Sequence, residues 1–211
     1  MIPCVDAPAV VIPMNHLAHA LLAAPDRDLM LGGLIADFVR GAPAPTLAPR
    51  VRAGIVLHRA IDSYTDAHHA VAAARRLFEP PLRRYAGIVL DVWFDHLLAQ
   101  RWREFGVGTL GGFSAQVQAL LDERGAELPT GMSALARYLV ANDLPAAYAQ
   151  RDVLERVYAG LARRLHHANP LADALAAITP RAAAIEVQFN LFMPELVAWC
   201  AAARAALDAS N

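Results

Sequence analysis

What most constrains this chain is its punctuation. Stretches rich in alanine and leucine follow one another with few β-branched or aromatic runs, and capping residues, prolines and glycines fall between them. That pattern selects an all-α fold, a single helical bundle. A first helix is expected over about 15–24 and a second over about 28–40, with Gly41 placed to end it. Pro49 suits the first turn of a third helix reaching about Asp66. A short helix over 70–78 follows, and Pro80 and Pro81 then open a long one to about Phe105. Residues 106–112 read as a loop, with further helices near 114–124, 130–142, 147–167 and 180–207. With 211 residues, no internal repeat and no dividing linker, residues 14–211 read as one domain.

Charge removes several functions at once. All 19 basic residues are arginine. Without an ammonium group there is no Walker phosphate loop, no Schiff-base lysine and no lysine general base. A formal net charge of −1 argues against a nucleic-acid binder working by bulk charge. Residues 7–25 carry no charged side chain, which raises a membrane reading, but Pro13, Asn15, His16 and His19 interrupt them and no basic region precedes them. A soluble, cytoplasmic protein that neither spans nor anchors to a membrane is expected. Cys4 and Cys200 stand at opposite ends with no CxxC spacing, so no disulfide framework or zinc ribbon is implied. Residues 106–111 spell GxGxxG, yet that fingerprint works between a strand and a helix, and here a helix precedes it.

The chemistry is concentrated in the first half. Six of the eight histidines and eight of the 13 aspartates lie at or before residue 96, against one of the seven glutamates. Aspartate is the poorer helix former, yet Asp37, Asp62, Asp91 and Asp95 all fall inside helical patterns. Asp91 and Asp95 are i,i+4 and share a face in very apolar surroundings, where a lone charge costs several kcal/mol unless paired or metal-bound. A surface position stays open for Asp91, because Arg84 and Arg101 are near in sequence; Asp95-His96 is the metal or catalytic candidate. His58 and Asp62 repeat the i,i+4 spacing, with Asp66 placed to cap the next segment or orient a ligand. His16 and His19 are i,i+3, and Asp37 is embedded in an apolar helix. Imidazole and carboxylate without thiolate suit Mn²⁺, Fe²⁺ or Zn²⁺ and the activation of water for hydrolysis, often of a phosphate ester. His68-His69 and His166-His167 fall in or beside turns and read as solvated.

Read in order, Met14-Asn-His-Leu-Ala-His19, Gly32-Gly-Leu-Ile-Ala-Asp37-Phe-Val-Arg-Gly41, His58-Arg-Ala-Ile-Asp62-Ser-Tyr-Thr-Asp66 and Asp91-Val-Trp-Phe-Asp95-His96 resemble the bacterial acyl-carrier-protein phosphodiesterase family. The similarity runs on to Phe189-Asn-Leu-Phe-Met-Pro194. It implies a fold related to the HD phosphohydrolases and Mn²⁺-dependent cleavage of holo-acyl carrier protein to apo-protein and 4′-phosphopantetheine. Carried onto this chain, the family's key aspartate falls on Asp37, its N-terminal histidine on His19, its helix pair on His58 and Asp62, and its Asp-His pair on Asp95 and His96. The adjacent His-Asp dipeptide of the HD superfamily is absent, and His16 stands where the family has an aromatic residue, which points to packing. The family pattern begins at Met14, so residues 1–13 read as an upstream extension outside the fold.

The resulting expectation is specific. Asp37, His58, Asp95 and His96 hold Mn²⁺ (Fe²⁺ or Zn²⁺ are alternatives), with His19 and Asp62 beside the ion or one layer behind. Asp37 or Asp62 orients or deprotonates water, and Arg40 or Arg59 neutralises charge on the phosphoryl oxygens. Arg83, Arg84 and Arg101 dock the acidic carrier protein. Two rivals remain: an HD-type phosphohydrolase acting on a nucleotide or other small phosphoester, and a non-enzymatic helical metal-binding protein. The second is disfavoured by the absence of any Glu-x-x-His spacing.

Overall fold

The computed structural model describes residues 15–165 and 167–209, so residues 1–13, Met14, His166 and the last two, 210–211, lie outside the described residues. The helices are α1 (His16–Ala23), α2 (Arg27–Ile35), α3 (Pro49–Ala67), α4 (His69–Arg76), α5 (Ala86–Gln100) and α6 (Trp102–Phe105). They continue as α7 (Leu110–Glu123), α8 (Thr130–Ala141), α9 (Arg151–Arg164), α10 (Ala174–Ile178) and α11 (Ala182–Ala209). Short 3-10 turns join several of them, and no strand occurs among the described residues.

The expected all-α class is what is found; the differences lie at boundaries. The second helix ends at Ile35 and tightens into a 3-10 turn over Ala36–Phe38, so Asp37 sits on a turn and not inside the helix. The long helix expected up to Phe105 begins only at Ala86, after a 3-10 turn over Leu82–Tyr85, and is interrupted at Arg101. Thr109 starts α7 early, its hydroxyl accepting from the Gly112 amide at 3.1 Å, which shortens the loop. The GxGxxG stretch therefore joins two helices, and Trp102 donates its indole N–H to the Gly108 carbonyl. His68, expected in solvent, is buried: its Nδ1 caps α4 at the Ala70 amide and its Nε2 meets Glu195 at 3.1 Å. That capping task had been expected of Asp66, which instead pairs with Arg75.

Helix α5 is apolar nearly all round and almost wholly buried, and so becomes the centre of the bundle. It also holds α1 in place. Asn15 precedes α1 in the left-handed region (φ 56°) and its side chain makes no cap bond. The orphan amides of Leu17 and Ala18 donate to the two oxygens of Asp95, each at 2.9 Å. At the other end of α1, Arg204 of α11 donates to the carbonyls of Leu22 and Ala24.

Helices α2 and α3 cross with almost no space between them. A Cβ on Gly32 would lie 2.1 Å from the Val51 carbonyl oxygen, and one on Gly54 would lie 2.4 Å from that of Leu29. The obstacles are backbone atoms, which cannot rotate away. This crossing brings His58, one turn beyond Gly54, against the turn that follows α2. Gly54→Ala gains ~1 kcal/mol of helix propensity, but overpacking costs ~1–3 kcal/mol or more. The expected result is a net loss of stability, read as a lower thermal midpoint; an unchanged midpoint would contradict the crossing described.

Candidate metal centre

Four elements meet beside the α2–α3 crossing. His19 comes from α1, His58 and Asp62 from α3, Asp37 from the 3-10 turn after α2, and Asp91 from α5. One carboxylate joins the two imidazoles. Asp62 approaches His19 Nε2 with Oδ1 at 3.1 Å and His58 Nε2 with Oδ2 at 3.1 Å. Asp37 Oδ1 lies 3.4 Å from the same His58 nitrogen. The rings of His19 and His58 stack with centroids 3.8 Å apart and planes 19° from parallel.

Both histidines are buried, yet Nδ1 and Nε2 of His19 and Nδ1 of His58 have no hydrogen-bond partner among the described residues. The His19–Asp62 approach is close but not aligned for a hydrogen bond. Buried ring nitrogens without partners are costly, and a shared cation is one way to satisfy lone pairs that converge. Ligand atoms of His19, His58 and Asp62 all lie within 4.8 Å of one another. Two imidazole nitrogens with carboxylate oxygens, and no thiolate, match Mn²⁺, Fe²⁺ or Zn²⁺. These residues fit such an ion.

The electrostatics follow from the same contacts. Burial would raise the Asp62 carboxyl, but the close approach of the His19 and His58 imidazoles outweighs it and holds Asp62 well below the usual carboxylate range. Burial would lower His58, and the two aspartates reverse this, raising it to about 9. His19 is lowered by its burial and by the neighbouring His58. Beside these groups opens a polar cavity of about 210 Å³, lined by Asp37, His58, Asp62, Asp66, Arg75 and Asp91 among others. Burial and the nearby carboxylates push Asp91 up to about 8.

The sequence-predicted residues divide cleanly. His19, Asp37, His58 and Asp62 come together. Asp95 and His96 do not join them: both Asp95 oxygens are taken by the α1 amides, and His96 Nδ1 contacts the Tyr148 carbonyl oxygen at 2.7 Å. The apolar setting of Asp95 did require a partner, and helix amides supply it. Arg59 is engaged as well, donating to the carbonyls of Val39 and Gly41 and so bracing the loop behind Asp37. Arg40 is exposed. Arg101 pairs with Glu104, bonds Asn190 and lies over the Phe105 and Phe189 rings, so it is committed internally.

Two residues facing the cavity escaped the sequence reading. The surface position open to Asp91 beside Arg84 and Arg101 is not taken: neither arginine pairs with it among the described residues, and it lines the cavity. Its only signal was the i,i+4 spacing to Asp95, which gives two carboxylates on one face without saying which reaches α3. Arg75, on which the sequence reading places no role, lines the cavity from α4.

The described residues form an all-helical bundle with an imidazole–carboxylate cluster facing an acidic cavity, a donor set that a divalent ion would fit. The comparisons then make this specific. The family model for acyl carrier protein phosphodiesterase matches residues 14–196. The chain is 36% identical over 185 residues to the acyl carrier protein phosphodiesterase of Serratia proteamaculans, covering 87% of this chain and 96% of that protein. It is 35% identical over 185 residues to that of Yersinia pestis, with the same coverages. For that of Escherichia coli O157:H7 the identity is 35% over 190 residues, covering 88% of this chain and 96% of that protein. No solved structure matches. The chain belongs to the acyl carrier protein phosphodiesterase family.

Proposed function

We propose that this chain is a divalent-cation-dependent phosphodiesterase that hydrolyses holo-acyl carrier protein to the apo-protein and 4′-phosphopantetheine. The observation that carries this reading is the joining of His19 and His58 through Asp62, with unpartnered buried ring nitrogens, at the edge of an acidic cavity. His19, His58, Asp62 and Asp37 would hold the ion, with Mn²⁺ the first choice and Fe²⁺ or Zn²⁺ the alternatives. When bound, such an ion supplies Lewis acidity toward the phosphoryl oxygens and lowers the pKa of water.

The chain's own groups do the rest. Asp37, whose Oδ2 is not engaged by His58, orients the attacking water and accepts its proton, while the two Asp62 oxygens position the imidazoles. Water adds at phosphorus, and the bond from phosphorus to the serine oxygen breaks. Asp91 lines the cavity from α5, forms no hydrogen bond among the described residues, and delivers a proton to that departing oxygen. The Arg75 guanidinium offsets charge on the phosphoryl oxygens, the role expected of Arg40 or Arg59. No helix among the described residues is long and apolar enough to cross a membrane, and we assign the reaction to the cytoplasm.

The acidic carrier protein docks on Arg83 and Arg84, which are exposed and in no ion pair among the described residues. Reversing both charges is expected to raise KM for holo-carrier protein about tenfold, in a salt-dependent way. The rate on a small chromogenic phosphodiester should not change; an equal loss on both substrates would remove the docking role. The deciding experiment incubates the full chain, stripped of metal and then supplied with Mn²⁺, with holo-acyl carrier protein. Released phosphopantetheine and the matching mass loss of the carrier are expected only with metal. Turnover of small phosphoesters with no action on the carrier would overturn the protein substrate.

A further inference from the structure

A second cavity of about 330 Å³ adjoins the metal centre, at the lower end of the ~300–1,000 Å³ range of small-molecule sites. The two share a wall. Asn15 and Asp91 line the polar cavity, and the next residue on each helix, His16 and Val92, lines the second. Across from that wall stand Leu135 and Leu139 of α8 and Val157 and Leu161 of α9.

This cavity is not uniformly apolar. His16 and Tyr148 are 5% and 4% exposed, and neither side chain forms a hydrogen bond among the described residues. Polar groups this buried are costly unless something bonds to them. Arg163 and Arg164 line the same cavity without an ion pair among the described residues, and the Arg164 charge reaches both His16 and Tyr148. A wholly apolar occupant such as a bare acyl chain would strand the imidazole and the phenol. A slim chain carrying amides and a hydroxyl beside methyl groups, tethered to a phosphate at one end, satisfies walls and polar groups together.

We propose that the cavity lined by His16, Tyr148, Leu135, Leu139 and Leu161 binds the pantetheine arm of the substrate while its phosphate sits at the metal centre. This rests on the phosphodiesterase reading above. The Tyr148 hydroxyl and the His16 ring bond the arm's amide and hydroxyl groups, and the aliphatic wall covers its geminal methyls.

The test uses Tyr148→Phe and Gly160→Leu. A Cβ at Gly160, which lines the cavity, meets nothing nearer than Arg163 Nη2 at 3.9 Å, so a side chain can be added there without a backbone clash. Tyr148→Phe removes one hydrogen bond and is expected to raise KM for holo-carrier protein about three- to tenfold. Gly160→Leu is expected to lower kcat/KM for that substrate at least tenfold, as a filled site does. Both variants should hydrolyse bis(p-nitrophenyl) phosphate, which has no arm, at the wild-type rate. Pantetheine itself, followed by ligand-observed NMR, should bind the wild type and lose binding in Gly160→Leu. Wild-type kinetics on holo-carrier protein in both variants, or pantetheine binding that survives Gly160→Leu, would overturn the arm site. If the wild type binds pantetheine yet never cleaves holo-carrier protein, the phosphodiesterase reading fails and the cavity assignment survives.

Discussion

Asp62→Ala is expected to abolish hydrolysis, by ~10³-fold or more, while leaving the protein folded. The size follows from what the side chain does. Among the described residues it is the one carboxylate that meets both imidazoles, and its loss leaves His19 and His58 stacked without a shared anion. Lewis acidity at the phosphoryl group is worth several kcal/mol, and each ~1.4 kcal/mol is tenfold in rate. Folding should lose only part of its stability: the contacts of Asp62 with His19 and His58 are lost, but its side chain is 45% exposed and alanine is the better helix former. The measurement is paired: metal content of the purified variant against its thermal midpoint and its rate on holo-carrier protein. Activity and metal are expected to fall together, while the midpoint, compared on protein stripped of metal, drops only modestly. Full metal content with full activity would remove Asp62 from the centre.

How far the sequence reaches is clearest from the four carboxylates. His58 and Asp62 are readable because i,i+4 spacing fixes their relation inside one helix, and α3 runs unbroken through both. Asp37 is readable as a site residue, though its backbone is not: α2 ends at Ile35 and the chain tightens into a 3-10 turn over Ala36–Phe38, which no residue pattern marks. Asp91 and Asp95 show the limit. Both are aspartates on one apolar helix, and burial demands a partner for each, but periodicity cannot say what stands opposite. A metal, an arginine and a helix N-terminus all satisfy a buried carboxylate, and only the packing of α1 on α5 selects the third for Asp95. The helical class survives such errors because it rests on propensity summed over the whole chain. The site depends on rotations of single helices, which no local pattern contains.

Asp95→Asn is the variant that separates these readings, and it is expected to destabilise the metal-free protein. Asparagine is nearly isosteric, so packing around α5 is unchanged. Its amide offers one acceptor where two backbone donors now point, and turns an N–H₂ toward the other. A buried donor left unsatisfied costs ~1–3 kcal/mol. An opposing effect exists: burial pushes the Asp95 carboxyl up to about 7, against the pull of the Leu17 and Ala18 amides, so a neutral side chain recovers part of the desolvation cost. The stranded amide is expected to win for asparagine, and Asp95→Ala, which strands both, should cost about twice as much by the same per-donor figure. The readout is the denaturant midpoint of protein stripped of metal, a condition in which a metal ligand has nothing to lose. An unchanged midpoint in both variants, with metal affinity lost, would return Asp95 to the centre. A lowered midpoint assigns it to holding α1, and through α1 to holding His19 beside Asp62.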